Sequence, residues 1–165
     1  MSTFTTTTTR THTATWLADV ILGTVADILA DLGLDLTRLY RDWEQDESAI
    51  KAWLLEQSLA MVVLECNQPS GTVAPIVEFP VRYQAGGEGD AQFTAHRASL
   101  ARFRAKLERV PGGTRYGLIC TFNGPHSDQP GWGPAKRAST DGLRSMSLGT
   151  IATAPDATAS MRYLR

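Results

Sequence analysis

Three histidines are the side chains most able to do acid–base or metal chemistry at neutral pH, and they stand at His12, His96 and His126. They lie far apart in the sequence, and none has metal-ligand spacing to another His, Cys or carboxylate. His126, Ser127 and Asp128 are the residue types of a catalytic triad, but adjacent residues cannot converge on one another as a triad does. We interpret these three residues as a polar turn.

Two further patterns could carry chemistry. Gly86-Gly87-Glu88-Gly89 lacks the Lys and the Ser or Thr of a phosphate-binding loop. Cys66 and Cys120 each stand in an apolar run, so we expect buried, reduced thiols and a cytoplasmic protein. We therefore predict a protein that is not an enzyme and uses no metal or cofactor. An enzyme with a dispersed site stays open as an alternative.

Composition and net charge limit the classes of partner that the protein can bind. Apolar residues are 42% and charged residues 20% of 165 residues, which is typical of one globular domain. A net charge of −1 argues against nucleic acid or an anionic membrane as a direct partner. Acidic residues in the first third and basic residues in 97–109 predict two solvated helix faces, with a docking surface as the alternative. Aspartates interrupt the apolar stretch 16–36, so we predict no membrane span, and the N-terminus lacks the apolar core of a signal peptide.

Apolar spacing predicts the helices. One apolar stripe runs through residues 16–32, with Thr13 or Thr15 as a cap and Gly33 as the stop. After a short helical turn near 37–42, a second main helix is expected near 44–57 and a third, amphipathic one within 93–110.

Alternation predicts the strands. Residues 59–66 and 73–83 form a hairpin around turn residues, and 114–122 form another strand. Pro75 and Pro80 cannot donate ladder hydrogen bonds, so the second strand should lie near an edge or be bulged. The expected fold class is α+β, with three helices packed on a mainly antiparallel sheet in one domain.

The C-terminal third changes character. Residues 123–137 are rich in glycine and proline, a long connection of the kind that is usually functional or mobile, and Trp132 stands in its middle. Two strands near 143–153 and 158–164 offer little apolar surface. Such strands are weakly specified and could pair in more than one place on a sheet.

The threonine-rich start, FTTTTTRTHTAT at residues 4–15, allows three interpretations. It could be a disordered tail, an edge strand, or a segment that a partner grips. Threonine has low helix and high strand propensity, so a helix is the structure that composition disfavours.

THTATWLADVIL, DWEQDESAIKAWL and GWGPAKRASTDGLRSMSLGTI together resemble the bacterial HORMA domain proteins encoded beside cyclic-oligonucleotide synthases (CD-NTases) in CBASS anti-phage operons. The resemblance implies a conformational switch that captures a closure-motif peptide under a mobile C-terminal safety belt. It implies residues 1–12 as an extended N-terminal lead, 13–122 as the core and 123–165 as the belt. The C-terminal MRYLR would be part of the belt or a closure motif offered to another copy.

The same resemblance implies roles for particular residues. The closure-motif peptide would add as a strand to 114–122, where four side chains share a face: Tyr116, Leu118, Cys120 and Phe122. Trp132 would anchor the belt. The closed protein would bind and activate the CD-NTase, and a TRIP13-like AAA+ ATPase would reopen it by pulling on the lead at Phe4, Thr8 and Arg10. The alternative is an adaptor domain with a fixed C-terminus.

Overall fold

The structure is a computed structural model that describes residues 3–84 and 93–165, with side chains from residue 9 onward. The helices are α1 Thr3–Leu32, α2 Thr37–Arg41, α3 Trp43–Leu55 and α4 Arg97–Arg104. The strands are β1 Leu59–Asn67, β2 Val73–Tyr83, β3 Thr94–Ala95, β4 Arg115–Phe122, β5 Ser145–Thr153 and β6 Ala157–Leu164. The glycine-rich stretch 86–89 lies outside the described residues.

Within the described residues, the six strands form one sheet in the order β3-β5-β6-β2-β1-β4. Every pair of neighbours is antiparallel. Apolar side chains of α1, α3 and one face of the sheet form a single core cluster. This arrangement confirms the predicted α+β class.

Helix α1 supplies the largest share of that core. Its apolar stripe is fully or nearly fully buried: Leu17, Ile21, Leu22, Val25, Ile28, Leu29 and Leu32. The helix ends where the sequence predicts, because Gly33 takes φ +83° and the Leu34 amide turns back to the Leu29 carbonyl, 2.9 Å away.

The N-terminus differs from the prediction. Backbone from Thr3 onward is helical, so the extended lead over residues 1–12 and a helix start at Thr13 or Thr15 are both wrong for this part of the chain. The Thr15 hydroxyl donates to the Thr11 carbonyl, 2.9 Å away, which gives a helical threonine a partner for its polar group. Phe4 and Thr8 lie on this helix by backbone, and Arg10 is exposed to solvent.

The expectation about membrane spans also needs correction. By length and composition alone, Thr9–Leu32 is apolar enough to cross a membrane despite its aspartates. The greater part of its most apolar stretch is buried inside the fold. The core helix of a globular protein can be as long and as apolar as a membrane-spanning helix, so length and composition do not distinguish the two.

The two faces of the sheet are both covered, but differently. One face carries Val77, Phe79 and Leu64 into the main core under the helices. The opposite face has a smaller cluster of Val63, Ile76 and Leu164. Ala138 and Leu143 pack on that smaller cluster, so the long connection after β4 crosses the face that the helices leave open.

Strand β2 has the predicted bounds. Of the two predicted alternatives, the edge position is wrong, but the strand is irregular as expected, because its register with β1 shifts between Val73 and Ile76, beside Pro75. It lies inside the sheet, between β1 and β6. Its pairing with β6 is interrupted between Glu78 and Val81, where Pro80 has no N–H to donate. Strand β2 would be an edge if β5 and β6 were not paired to it. The proline pattern therefore suits a strand that the C-terminal hairpin covers.

Helix α4 begins later than predicted because Thr94 and Ala95 pair as strand β3 with β5, and it also ends earlier, at Arg104. Its Arg104 Nε donates to Asp31 Oδ2 of α1 at 2.7 Å. Arg104, which belongs to the basic segment 97–109, is therefore paired with a carboxylate of the fold itself.

Candidate functional site

Strand β4 is the outermost strand of the sheet, on the side away from the hairpin of β5 and β6. It pairs with β1 along its whole length, from Leu59 opposite Phe122 to Asn67 opposite Arg115. Its other side has no neighbouring strand among the described residues. An unpaired strand edge presents a row of N–H and C=O groups to which another strand can add.

The side chains of β4 alternate as predicted. Leu118, Cys120 and Phe122 pack against the main core, while Ile119 packs against the smaller cluster on the other face. Tyr116 is nearly buried and its ring lies under the guanidinium of Arg38, 4.3 Å from the ring centroid. An Arg38 N–H also donates to the Tyr116 carbonyl oxygen, so that carbonyl already has a partner within the chain.

The segment 123–165 that the resemblance assigns to the safety belt consists of a connection, residues 123–144, and the hairpin of β5 and β6; from here on, "the belt" means the connection alone. Its first part is tied to α3 and the turn that follows. Trp53 Nε1 donates to the Ser127 carbonyl at 2.8 Å, and Glu56 Oε2 accepts from the Ser127 amide at 3.2 Å. The Asn123 amide donates to the Ser58 carbonyl at 3.0 Å. These bonds hold the beginning of the belt on the helical side of the sheet.

Aromatic contacts reinforce that attachment. The rings of Phe122 and His126 stack, with centroids 3.5 Å apart, and Trp132 meets Trp53 edge-on at 5.5 Å. Edge-on aromatic pairs of this kind add about 0.5–1.5 kcal/mol beyond their area burial. Gly131 takes φ +80°, and an added Cβ would meet the side chain of Gln45. Any other residue would be strained at this φ, and the flexible end of the Gln45 side chain would have to move aside.

A cavity of about 380 Å³ lies between the belt and β4. Its walls come from α3, β4 and the belt, and among them are Trp53, Leu118, Phe122, His126 and Trp132. The volume is within the range of ligand pockets, and the lining combines apolar rings with polar groups of Ser127, Asp128 and Gln129. It has room for side chains of a ligand whose backbone follows the strand.

One carboxyl group behind the belt is electrostatically unusual. Burial raises the pKa of Asp46 to about 6, and the neighbouring Asp42 acts in the same direction. The Trp132 indole and Arg38 act to lower it. The indole nitrogen is buried, yet makes no hydrogen bond of ordinary geometry with any described residue. Asp46 thus lies close enough to the indole for its pKa to be lowered by it, but it does not accept a well-formed hydrogen bond from the indole nitrogen.

The second part of the belt crosses the opposite face of the sheet. Arg137 donates to Glu78 Oε2 of β2 at 2.5 Å, and the Ala138 amide donates to Glu65 Oε2 of β1 at 2.8 Å. Both carboxylates belong to nearly buried residues. The belt therefore starts on the helical side, passes around the free edge of β4 and reaches the far side of the sheet. There β5 and β6 pair with β2.

The structure brings together most of the residues singled out from the sequence. Leu118, Cys120, Phe122 and Trp132 line one cavity, while Tyr116 lies further along the strand beside Arg38. Arg10 does not line it, and the side chains of Phe4 and Thr8 lie outside the described residues. The C-terminal MRYL is part of β6 and belongs to the hairpin.

Several site residues were missed by sequence reasoning. Trp53 and Glu56 hold the start of the belt, and Glu65, Glu78 and Arg137 hold its crossing. Trp53 is visible in the sequence only as one apolar residue of a helical stripe. Glu78 stands on the polar side of the alternation in β2, and nothing local in the sequence reveals that the belt covers it.

The described residues contain no group of three or more His, Cys, Asp or Glu side chains that could hold a metal ion. Both cysteines are free. Burial raises the pKa of the Cys66 thiol to about 12 and also raises that of Cys120, which disfavours the thiolate form at neutral pH.

Comparison with known proteins supplies the family. The sequence model of the family "Bacterial HORMA domain 2" matches residues 1–165 of this chain. This protein belongs to that family. No curated protein matches the sequence.

Solved structures share the HORMA fold at low sequence identity. A chain of the mitotic checkpoint complex matches with a TM-score of 0.76 and 10% identity, over 92% of this chain and 97% of that chain. C. elegans HTP-1 bound to the HIM-3 closure motif matches with a TM-score of 0.70 and 11% identity, over 92% and 89%. A chain of the E. coli MS115-1 HORMA:CdnC:Trip13 complex matches with a TM-score of 0.61 and 13% identity, over 94% and 89%. At these identities the likeness shows the fold alone.

Proposed function

We propose that this HORMA protein is a non-catalytic, peptide-binding switch that captures a short closure-motif peptide on the free edge of β4, under the belt. The observation that carries the proposal is the path of the belt. It begins on the helical side at Trp53, passes around the β4 edge, and is held on the opposite face by Glu65 and Glu78. A strand added to β4 would be enclosed between the sheet edge and the belt.

Strand addition suits the chemistry of the site. Main-chain groups of β4 would supply affinity for any extended peptide, and the cavity would select side chains. The cavity walls are mainly aromatic and aliphatic, so we expect at least one apolar peptide side chain to enter beside Trp53 and Trp132. C. elegans HTP-1, which has the same fold, is bound to a closure motif in its own structure.

Switching between two arrangements is supported by the C-terminal hairpin. Its strands carry small and polar residues, and it covers β2, whose Pro80 interrupts the pairing with β6. The sequence suggested little apolar surface here, but Ile151, Met161, Tyr163 and Leu164 are buried, so an arrangement in which the hairpin leaves β2 must pack these four side chains elsewhere. A captured peptide can favour the closed arrangement only by its greater affinity for that arrangement.

For the partners, we propose a CD-NTase that the closed protein activates and a TRIP13-like AAA+ ATPase that reopens it, within CBASS defence in the cytoplasm. The fold neighbour from E. coli MS115-1 forms a complex with CdnC and Trip13. Since α1 is helical from Thr3, the ATPase would have to unwind this part of the helix in order to pull on Phe4, Thr8 and Arg10. Removing residues 2–10 should spare peptide binding and synthase activation but block ATPase-driven reopening.

The peptide-binding proposal can be tested without knowing the natural ligand. Twelve-residue peptides would be selected from a random displayed library against the full chain, and their dissociation rates measured by fluorescence anisotropy. Hydrogen–deuterium exchange should then show slower exchange in β4 and the belt when a selected peptide is bound. Selected peptides that protect other surfaces and leave β4 unchanged would contradict the proposal.

A further inference from the structure

Glu78 is the point at which two separate segments of the C-terminal region meet. Its Oε2 accepts from belt residue Arg137 at 2.5 Å, and its Oε1 accepts from Arg162 Nε of β6 at 2.6 Å. Arg162 is the direct cross-strand partner of Glu78 in the sheet. One carboxylate is thereby shared between the belt and the hairpin.

Because the Glu78 carboxylate is buried, it depends on both arginines for its stabilisation. The Glu78 side chain is 6% exposed, while those of Arg137 and Arg162 are 28% and 44% exposed. A carboxylate taken out of water is costly unless it is paired and hydrogen-bonded. Each arginine satisfies one oxygen, so the removal of either leaves part of a buried charge without its partner.

From this geometry we propose that Glu78 couples the belt to the hairpin, so that the two segments attach and detach together. The inference rests on the proposed switch and names the residue that makes it cooperative. When the hairpin leaves β2, Glu78 loses Arg162 and its hold on Arg137 is weakened by hydration of the opened site. When the belt lifts, the same argument applies in reverse. Glu65 adds a second hold on the belt through the Ala138 amide, but within the described part of the chain it makes no side-chain hydrogen bond to the hairpin.

The coupling can be read by hydrogen–deuterium exchange on the full chain without any peptide. In R137Q, amides of β6 at 157–164 should exchange about tenfold faster, although the substitution is in the belt. In R162Q, amides of the belt at 136–144 should exchange about tenfold faster, although the substitution is in the hairpin. A tenfold change corresponds to about 1.4 kcal/mol. E78Q should accelerate exchange in both segments.

K136Q is the matched control, because Lys136 is the exposed neighbour of Arg137 and should change neither segment. The proposal is overturned if R137Q affects only the belt and R162Q only the hairpin. It is also overturned if either variant accelerates exchange equally in α1, since that result means a general loss of stability. Because no peptide is present, these outcomes are independent of whether a selected peptide binds β4.

Discussion

Replacing Asp46 with Asn should stabilise the protein at neutral pH. Burial raises the pKa of this carboxyl from 3.8 to about 6, so the folded protein holds the proton more tightly than the unfolded chain. The stability linked to this proton is present below pH 4 and is lost as pH rises through 6. Above that range the folded state carries an ionised carboxylate that it solvates poorly, and Asn removes this charge.

The size of the effect follows from the shift. A change of about two pKa units corresponds to at most about 3 kcal/mol. The side chain is only half-buried, so solvent screening reduces this value, and we expect about 1 kcal/mol at pH 7.5. Asp42 raises the pKa of Asp46 further, whereas the Trp132 indole and Arg38 lower it, so the net change depends mainly on burial.

Urea unfolding followed by tryptophan fluorescence at several pH values between 4 and 8 is the suitable assay. D46N and the unsubstituted protein should be about equally stable at pH 4 and diverge as pH rises. D35N is the control of opposite sign, because hydrogen bonds from Thr37 lower the pKa of the exposed Asp35. A D46N protein that is no more stable at pH 7.5, or is more stable by the same amount at every pH, would refute the reasoning.

Two further predictions concern the attachment of the belt to α3. W53F removes the N–H that donates to the Ser127 carbonyl but keeps an aromatic ring, so it should destabilise by about 1–3 kcal/mol and speed amide exchange in 125–132. W43F, which loses an N–H donated to Glu47 within α3, should leave exchange in the belt unchanged; equal effects would contradict the assignment. G131A should cost about 1–2 kcal/mol in urea unfolding, since Gly131 has φ +80° and faces Gln45. G124A has open space and should be nearly neutral, so a G131A variant as stable as G124A would contradict the cost assigned to the left-handed backbone at Gly131.

Local patterns predicted the parts of the fold that local rules control. The bounds of β2 and the end of α1 at Gly33 follow from alternation and from the left-handed glycine. The helical start at Thr3 was not predictable from propensity alone. A helix already nucleated by the buried stripe of α1 extends at low cost, and threonine hydroxyls can bond the preceding turn, as Thr15 does.

The predictions that were wrong concern features that depend on contacts between segments distant in sequence. Helix α4 begins late because Thr94 and Ala95 are drawn into pairing with β5. Strand β2 is interior only because a hairpin from the C-terminus covers it. Glu78 has the pattern of a solvent-facing residue, and the belt that buries it is distant in sequence. The edge position of β4 and the packing of Trp132 near it agree with the family resemblance, whereas Trp53 and Glu56 had no signal that would single them out.

The most direct test of the central claim, strand addition to β4 under the belt, is a backbone N-methyl scan of a selected peptide. N-methylation removes a main-chain donor and leaves every side chain in place. Peptide amides that face β4 alternate with amides that face away, because successive residues of a strand point their hydrogen bonds to opposite sides. The account predicts that methylation at alternate positions abolishes binding while methylation at the intervening positions is tolerated. Equal tolerance at every position would mean that the peptide is held by side chains alone and would contradict strand addition.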